Sequence, residues 1–443
     1  MSQPLRRGEP YKAKNWTIRR LQLFALSLSG RFPPLKRPML YVWKNYRLLK
    51  YKWLMRELAT SRTTEVNVDK TFWLDPRIII YSSLKEFTPY RYKGRIIGGA
   101  WDRLDKRFED LDVYVAFKER FVEGRDWEDT VFYQRVLNEI RNGKFLWSCR
   151  NKADFDRRCE NLDSLFQNIK NRGYKSQSEI ISQENTRNQL QNEDEITVNV
   201  GRDGDLLFNN GAHRLAIAKL LSVQKIPVRI TVRHPQWVNF RREILLHAKD
   251  QPSGKIYTPI THPDLQDIPA FHDVESDRFS LIEASLSTRK GRLLDIGAHW
   301  GYYCHKFEER GFHCYAVEND RVHLYFLQKL KRAENRKFEI LPNSIFECPE
   351  VKDLHFDVVL ALNIFHHFLK NKDSYFKLCD LLKNLKMKEM YFQPHQTNEH
   401  QMKEAYKNYS EEEFIEFILR ASKLNKANCI GRAQDGRGIY KIY

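Results

Sequence analysis

Downstream of Lys290, short apolar runs alternate with stretches whose apolar residues recur at helical spacing. Leu293-Leu294-Asp295-Ile296, Cys314–Val317 and Phe356–Asn363 read as strands, and Tyr303, Phe307 and Arg310 mark the helix between the first two. Strands and helices taking turns predict a parallel α/β sheet. Upstream the pattern is less regular. Arg77–Tyr81 (RIIIY) is a short β-branched run, expected to be a buried strand, and Gly94 and Gly98-Gly99 follow as a turn. Residues 101–180 are charged, with Leu104, Phe108 and Leu111, then Val131, Val136, Leu137 and Ile140, then Leu162, Leu165, Phe166 and Ile169 at helical spacing. Ile196–Val200, Leu206–Phe208 and Val228–Val232 read as strands, and Leu215–Leu221 as a helix with one apolar face. These patterns divide the chain into an arm over 1–70, a domain over 71–235, a proline-containing linker with some helix over 236–285, and an α/β domain over 286–443.

Charge changes the picture only at the N-terminus. The 443 residues, 42% of them apolar, suffice for two or three cores. Of the net charge of +18, +12 sits in residues 1–60, where fourteen Lys/Arg face only Glu9 and Glu57. Tyr11, Trp16, Tyr41, Trp43 and Trp53 are interleaved with these charges. Lys/Arg on phosphates with rings on bases suits nucleic acid. Rings at headgroup level suit an anionic membrane surface equally. A solvated, partly helical extension is the third reading. Leu21–Leu28 is far shorter than the roughly 20 residues that span a bilayer. No small-x-small cleavage site follows it, so secretion is not expected. The seven cysteines form no CxxC pair and read as reduced thiols of a cytoplasmic protein, peripheral at the membrane if the arm docks there, with no zinc site. Nothing in the sequence fixes the oligomeric state.

The chemistry concentrates in two stretches. In Asp295-Ile296-Gly297-Ala298-His299-Trp300-Gly301 a strand runs into a glycine-containing turn and a helix, and Glu318 ends the next strand about twenty residues later. Glycine lets the backbone approach a ligand, and an acid at that strand end accepts ribose hydroxyls. This stretch resembles class I S-adenosylmethionine-dependent methyltransferases, over about 150 residues. The resemblance implies a Rossmann-like methyltransferase sheet binding S-adenosyl-L-methionine. Asp295 holds the place of the motif's acid, and Gly297 and Gly301 those of its outer glycines, with His299 where the middle glycine stands. It further implies that Glu318 holds the ribose, that Ser344 or Asn343 stands where an adenine-contacting acid is usual, and that Asn363, His366 and His367 lie near the methionine part or the acceptor. One histidine would take the acceptor's proton. A nicotinamide Rossmann domain is disfavoured, because His299-Trp300 are bulky where a pyrophosphate must sit. DNA methylation is disfavoured too: Asn363 is followed by Ile364-Phe365 instead of Pro-Pro-aromatic, and the chain has no Pro-Cys dipeptide.

The second stretch is Asp203–Lys219, a turn, strand, turn and helix. Gly211 opens the helix, whose free N–H groups and dipole favour a phosphate, and Arg214 offers a fork to it. Residues 196–235 resemble the ParB/sulfiredoxin-like fold, which implies phosphate binding by Asn210, Gly211, His213 and Arg214. Ala212 stands where sulfiredoxins carry a reactive cysteine, so reductase chemistry is not expected. ATP or another nucleotide with Mg²⁺ is the implied ligand, with the acids of Trp101-Asp102 and Asp126-Trp127-Glu128-Asp129 as candidates near the ion.

Two readings of function result. One is a methyltransferase acting on a small-molecule or glycan-linked acceptor that the upstream domain binds or phosphorylates. Kinase and methyltransferase domains are joined in the capping of surface polysaccharides, and the parallel is one of analogy. The other is a nucleic-acid-binding ParB-like protein with an RNA-directed or cofactor-sensing methyltransferase domain.

Overall fold

The computed structural model describes residues 70–443 apart from 145, 148, 184–194 and 275–277. All but the last residue of the basic arm, with its membrane and nucleic-acid readings, lies outside these residues. The chain forms two sheets, one mixed and one mostly parallel, each flanked by helices, an α/β architecture.

The upstream sheet has five strands: β1 (Thr71–Leu74), β2 (Arg95–Ile96), β3 (Ile196–Val200), β4 (Leu206–Asn210) and β5 (Ile226–Arg233). Its order is β1-β5-β3-β4, with β2 also on β5. β5 lies parallel to β3, and β1 and β4 are antiparallel to their neighbours. The expected strand at Arg77–Tyr81 does not form. Asp75 accepts the Arg77 N–H and Pro76 takes the first position of a 3₁₀ turn, Pro76–Ile78, so the β-branched run begins inside a turn. The strand lies just before it, at β1. Between β2 and β3 come the helices of the insertion, α1 (Asp112–Phe121), α2 (Val131–Arg141) and α3 (Lys152–Arg172). Thr130 and Asn151 cap the last two, each accepting a main-chain N–H. Helix α4 (Ala212–Leu220) connects β4 to β5 and buries Leu215–Ala218 against this core.

The stretch expected to be linker is more ordered than its prolines suggest. Pro235 at the first helical position and His234 at the cap start α5 (Pro235–Asp250). Trp237, Phe240, Ile244 and Ala248 of α5 join the upstream core, and so do Trp300, Phe326, Leu330 and Ala333 from the far side of the chain. Gly204, in the β3–β4 turn, lies in this junction with φ +95°. A Cβ there would come within 2.5 Å of both Trp237 and Ala333, so only glycine fits the backbone and the space. Polar contacts cross the same junction: Arg332 reaches Asp203 at 3.2 Å, and Thr261 donates to the buried Glu334 at 2.5 Å.

The downstream sheet comprises β6 (Gly291–Ile296), β7 (Phe312–Val317), β8 (Glu339–Leu341), β9 (His355–Leu362), β10 (Lys386–Gln393), β11 (Ala427–Arg432) and β12 (Gly438–Ile442). The order is β11-β12-β10-β9-β6-β7-β8. The strands from β6 to β10 are parallel, and β12 runs against both its neighbours. Helices α6 (Tyr302–Glu309), α7 (Arg321–Ala333), α8 (Lys372–Asn384) and α9 (Glu411–Ala421) cover the faces, which is why β6 and β9 read as continuous apolar runs. Successive strands run outward from β6 through β7 to β8, then the chain returns to β9 on the other side. That reversal opens a crevice at the carboxyl ends of β6 and β9, where ligands of such sheets bind. No helix among the described residues is long and apolar enough to cross a membrane.

Candidate functional site

A cleft of about 610 Å³ occupies this crevice. Gly297 from the end of β6, Glu318 after β7, Asn343 and Ser344 after β8, and Asn363, His366 and His367 after β9 all line it. Gly297 has φ +78°, and a Cβ there would press on Ile364 at 2.8 Å, so the turn exposes bare backbone to the cleft. The Glu318 carboxylate is fixed by three main-chain N–H groups, from His299, Asn319 and Asp320, each at 2.9 Å. It is 7% exposed, at the carboxyl end of β7.

Two of the expected cofactor residues lie behind the wall. Asp295 is 3% exposed and faces Cys304 on α6 instead of the cleft, with the Cys304 thiol donating at 3.9 Å. Burial, reinforced by the nearby Glu318 charge, pushes its carboxyl up to about 7. Gly301 begins α6 against Leu327. Both shape the turn; neither lines the cleft.

At the other end, Asn363 adopts φ +56°. Its amide donates to the Tyr257 hydroxyl at 3.1 Å, and its Oδ1 accepts from Arg437. The rings of His366 and His367 lie 4.0 Å apart on a 3₁₀ turn, Phe365–Leu369. They differ in what they can do. His366 is 2% exposed, with neither ring nitrogen hydrogen-bonded. Burial, then the neighbouring His367, His395, Lys370 and Arg437, push it down to about 3. His367 is exposed at the rim, with Lys370 Nζ 3.3 Å from Nδ1; partial desolvation and that lysine lower it as well. A general base must be reachable and titrate near the working pH, which favours His367 over His366.

One wall comes from residues that sequence reasoning passed over. His247 and Gln251 at the end of α5, and Tyr257 beyond it, line the cleft from the stretch read as linker. His299 does too. It takes the left-handed backbone (φ +53°) suited to the glycine it replaces, and its ring lies 5.3 Å from Trp300 and 4.2 Å from His323. Its buried Nδ1 has no hydrogen-bond partner. A polar residue in a glycine place was the available signal for His299; for Tyr257 there was none.

The upstream candidates have another setting. Asn210 is exposed and donates to Glu86 at 2.7 Å. Gly211 precedes α4, close against Ile196. His213 is enclosed by Phe117, Phe132 and Trp147, with centroids at 5.6, 6.2 and 5.3 Å. Burial, helped by Arg158 and Arg214, pushes its imidazole down to about 4. Arg214 faces the buried Glu195 at 3.7 Å. Of the acids considered for Mg²⁺, Asp102 is held by two of the Arg202 guanidinium nitrogens, Asp126 pairs with Arg120 and Glu128 with Lys152. Among the described residues no cluster of three or more metal-ligand side chains forms.

Residues 294–384 match the profile of a family described as methyltransferase domain. No curated protein matches the chain. Among solved structures it is similar to the bifunctional kinase-methyltransferase WbdD, at 16% identity over 45% of each chain with a TM-score of 0.34. It is similar also to an S-adenosylmethionine-dependent methyltransferase from Clostridium acetobutylicum ATCC 824, at 12% identity over 37% of this chain and 87% of that one, TM-score 0.30. A third is the magnesium protoporphyrin IX methyltransferase (ChlM) from Synechocystis PCC 6803 with bound SAM, at 12% identity over 34% and 68%, TM-score 0.27. The chain spans under half the length of WbdD.

Proposed function

We propose that this protein transfers a methyl group from S-adenosylmethionine to a small-molecule or glycan-linked acceptor. One observation carries the reading: the Gly297 turn, the pinned Glu318 carboxylate and the Asn363–His367 rim converge on a single cleft where the strand order reverses. The residues fit that cofactor. The cleft volume lies in the usual range for such ligands, about 300–1,000 Å³. Gly297 leaves room that a side chain would fill, and the buried, unpartnered Nδ1 of the half-buried His299 is available to a polar group. When bound, the cofactor supplies an electrophilic methyl on a positively charged sulfur. Glu318 would hold the ribose hydroxyls, Ser344 would border the adenine, and Asn363 would orient the methionine part or the acceptor. His367 would accept the acceptor's proton as its oxygen or nitrogen takes the methyl group.

The upstream lobe, on this reading, takes a nucleotide or phosphate at the start of α4 and phosphorylates or binds the acceptor. What supports it is the cationic pair beside His213: Arg158 has a buried guanidinium nitrogen without a hydrogen-bond partner, and Arg214 has another that faces Glu195 at 3.7 Å. The basic arm would hold the protein at an anionic membrane surface.

Calorimetry on the full chain tests the central claim. S-adenosylmethionine should bind, and Glu318→Ala should weaken it about tenfold or more, the cost of losing a charged hydrogen-bond acceptor. Unchanged affinity in that variant would sink the assignment. Transfer of label from the cofactor to cell-extract fractions then identifies the acceptor, and salt-sensitive retention on heparin that depends on residues 1–60 would favour the nucleic-acid alternative instead.

A further inference from the structure

We propose that Tyr257, carried by the upstream stretch, is a methyl-donor-binding residue that sets its ring against the cofactor's sulfonium. This rests on the reading of the cleft as an S-adenosylmethionine site.

Tyr257 lines the cleft and bridges it. Its hydroxyl accepts from Asn363 at the end of β9, and its ring lies 5.4 Å from His299 in the turn after β6. The side chain therefore stands over the two strand ends between which the order reverses. Glu318 and Ser344, the residues placed at ribose and adenine, follow β7 and β8 on the other side of β6. A nucleoside held there directs the rest of the molecule toward β6 and β9, beneath Tyr257.

The ring is held in place from behind. Phe271 N–H donates to Ile256 O at 2.7 Å, Ile256 N–H to Pro269 O at 3.1 Å and His272 N–H to Tyr257 O at 3.2 Å, and the His272 ring meets Tyr257 edge-on at 4.8 Å. With 38% of its surface exposed, the side chain stays open to the cleft that it lines. A sulfonium is a permanent, weakly hydrated cation. Aromatic faces attract such cations through the negative centre of the ring, as they do quaternary ammonium groups.

The contact distinguishes the methyl donor from its product, since S-adenosylhomocysteine has the same frame and a neutral thioether. Affinities of the full chain for both ligands test it by calorimetry. Tyr257→Leu keeps apolar bulk and removes the ring face. It should weaken S-adenosylmethionine by about threefold to thirtyfold relative to S-adenosylhomocysteine. Tyr257→Phe keeps the face and gives up the Asn363 bond, so the ratio of the two affinities should stay at the wild-type value. Equal weakening of both ligands by Leu, or no weakening, overturns the sulfonium contact. A Phe variant that shifts the ratio as Leu does overturns the role of the ring. Binding of neither ligand by the wild-type chain overturns the cofactor reading itself, and this inference with it.

Discussion

The turn from β4 into α4 and the turn from β6 into α6 share a construction. Each places a glycine with left-handed backbone directly before a helix, Gly211 at φ +97° and Gly301 at φ +82°, and each carries a histidine within two residues of that glycine. Their surroundings separate them. The downstream turn faces the 610 Å³ cleft through Gly297 and His299. Around the upstream one the insertion brings Phe117, Phe132 and Trp147 onto His213, and Glu195 faces Arg214. A helix start favours anions by local geometry, but what covers it decides whether a ligand can reach it.

The sharpest way to break this contrast is His213→Lys. A lysine charge among three aromatic rings has no partner there, and the variant should lose about 3–5 kcal/mol of stability, read from urea denaturation. A stability equal to wild type would mean that the ring cage opens to water. Next in size, Gly297→Val forces a β-branched residue into positive φ and against Ile364. It should cost about a hundredfold in S-adenosylmethionine affinity, whereas Gly211→Val should leave that affinity within about twofold.

Acid titration sharpens the comparison from both sides. His213 and His366 titrate in the folded protein at about 4 and about 3, against about 6.5 when unfolded. Below pH 6.5 the unfolded chain takes up protons that the folded one refuses, so stability present above that pH is lost as the pH falls toward 4. Each residue contributes a slope of up to about 1.4 kcal/mol per pH unit. Asp295 acts in the opposite sense: its folded value near 7 makes its contribution greatest at low pH and smaller as pH rises from about 4 to 7. Melting curves from pH 4 to 7 should therefore flatten in His213→Phe and steepen in Asp295→Asn. The smallest effect concerns the phosphate reading. ATP should bind more weakly than S-adenosylmethionine, and Arg214→Ala should weaken it about fivefold, by isothermal titration; an ATP affinity independent of Arg214 would remove α4 from consideration.

Legibility in the sequence tracked distance along the chain. β6, the Gly297 turn, α6 and Glu318 lie close together, and their order alone pointed to the crevice. β3, β4, α4 and β5 were legible for the same reason. Arg77–Tyr81 misled because β-branched content outweighed the Asp75-Pro76 signal for a turn, and Ile79 is buried without being in a strand. Asp295 sits in its motif place, yet its side chain turns to Cys304, a matter of rotamer that no pattern encodes. Tyr257 was invisible because its bond to Asn363 joins residues 106 positions apart. The helix expected within 236–285 is α5, which starts at Pro235, at the boundary of that stretch.

The junction around Gly204 bears on how the chain comes to be folded as it is made. The upstream sheet leaves the ribosome first, and N-terminal units generally fold ahead of later segments when they can close their own core. Here the upstream core takes four of its buried residues, Trp300, Phe326, Leu330 and Ala333, from downstream. Trp237 and Gly204 remain uncovered until α7 has been synthesised and brings Ala333, Phe326 and Leu330 to them. The nascent upstream half must therefore wait with apolar surface open, and a stall or premature stop before residue 333 would release an incomplete core, a substrate for chaperones and proteases rather than a free-standing domain.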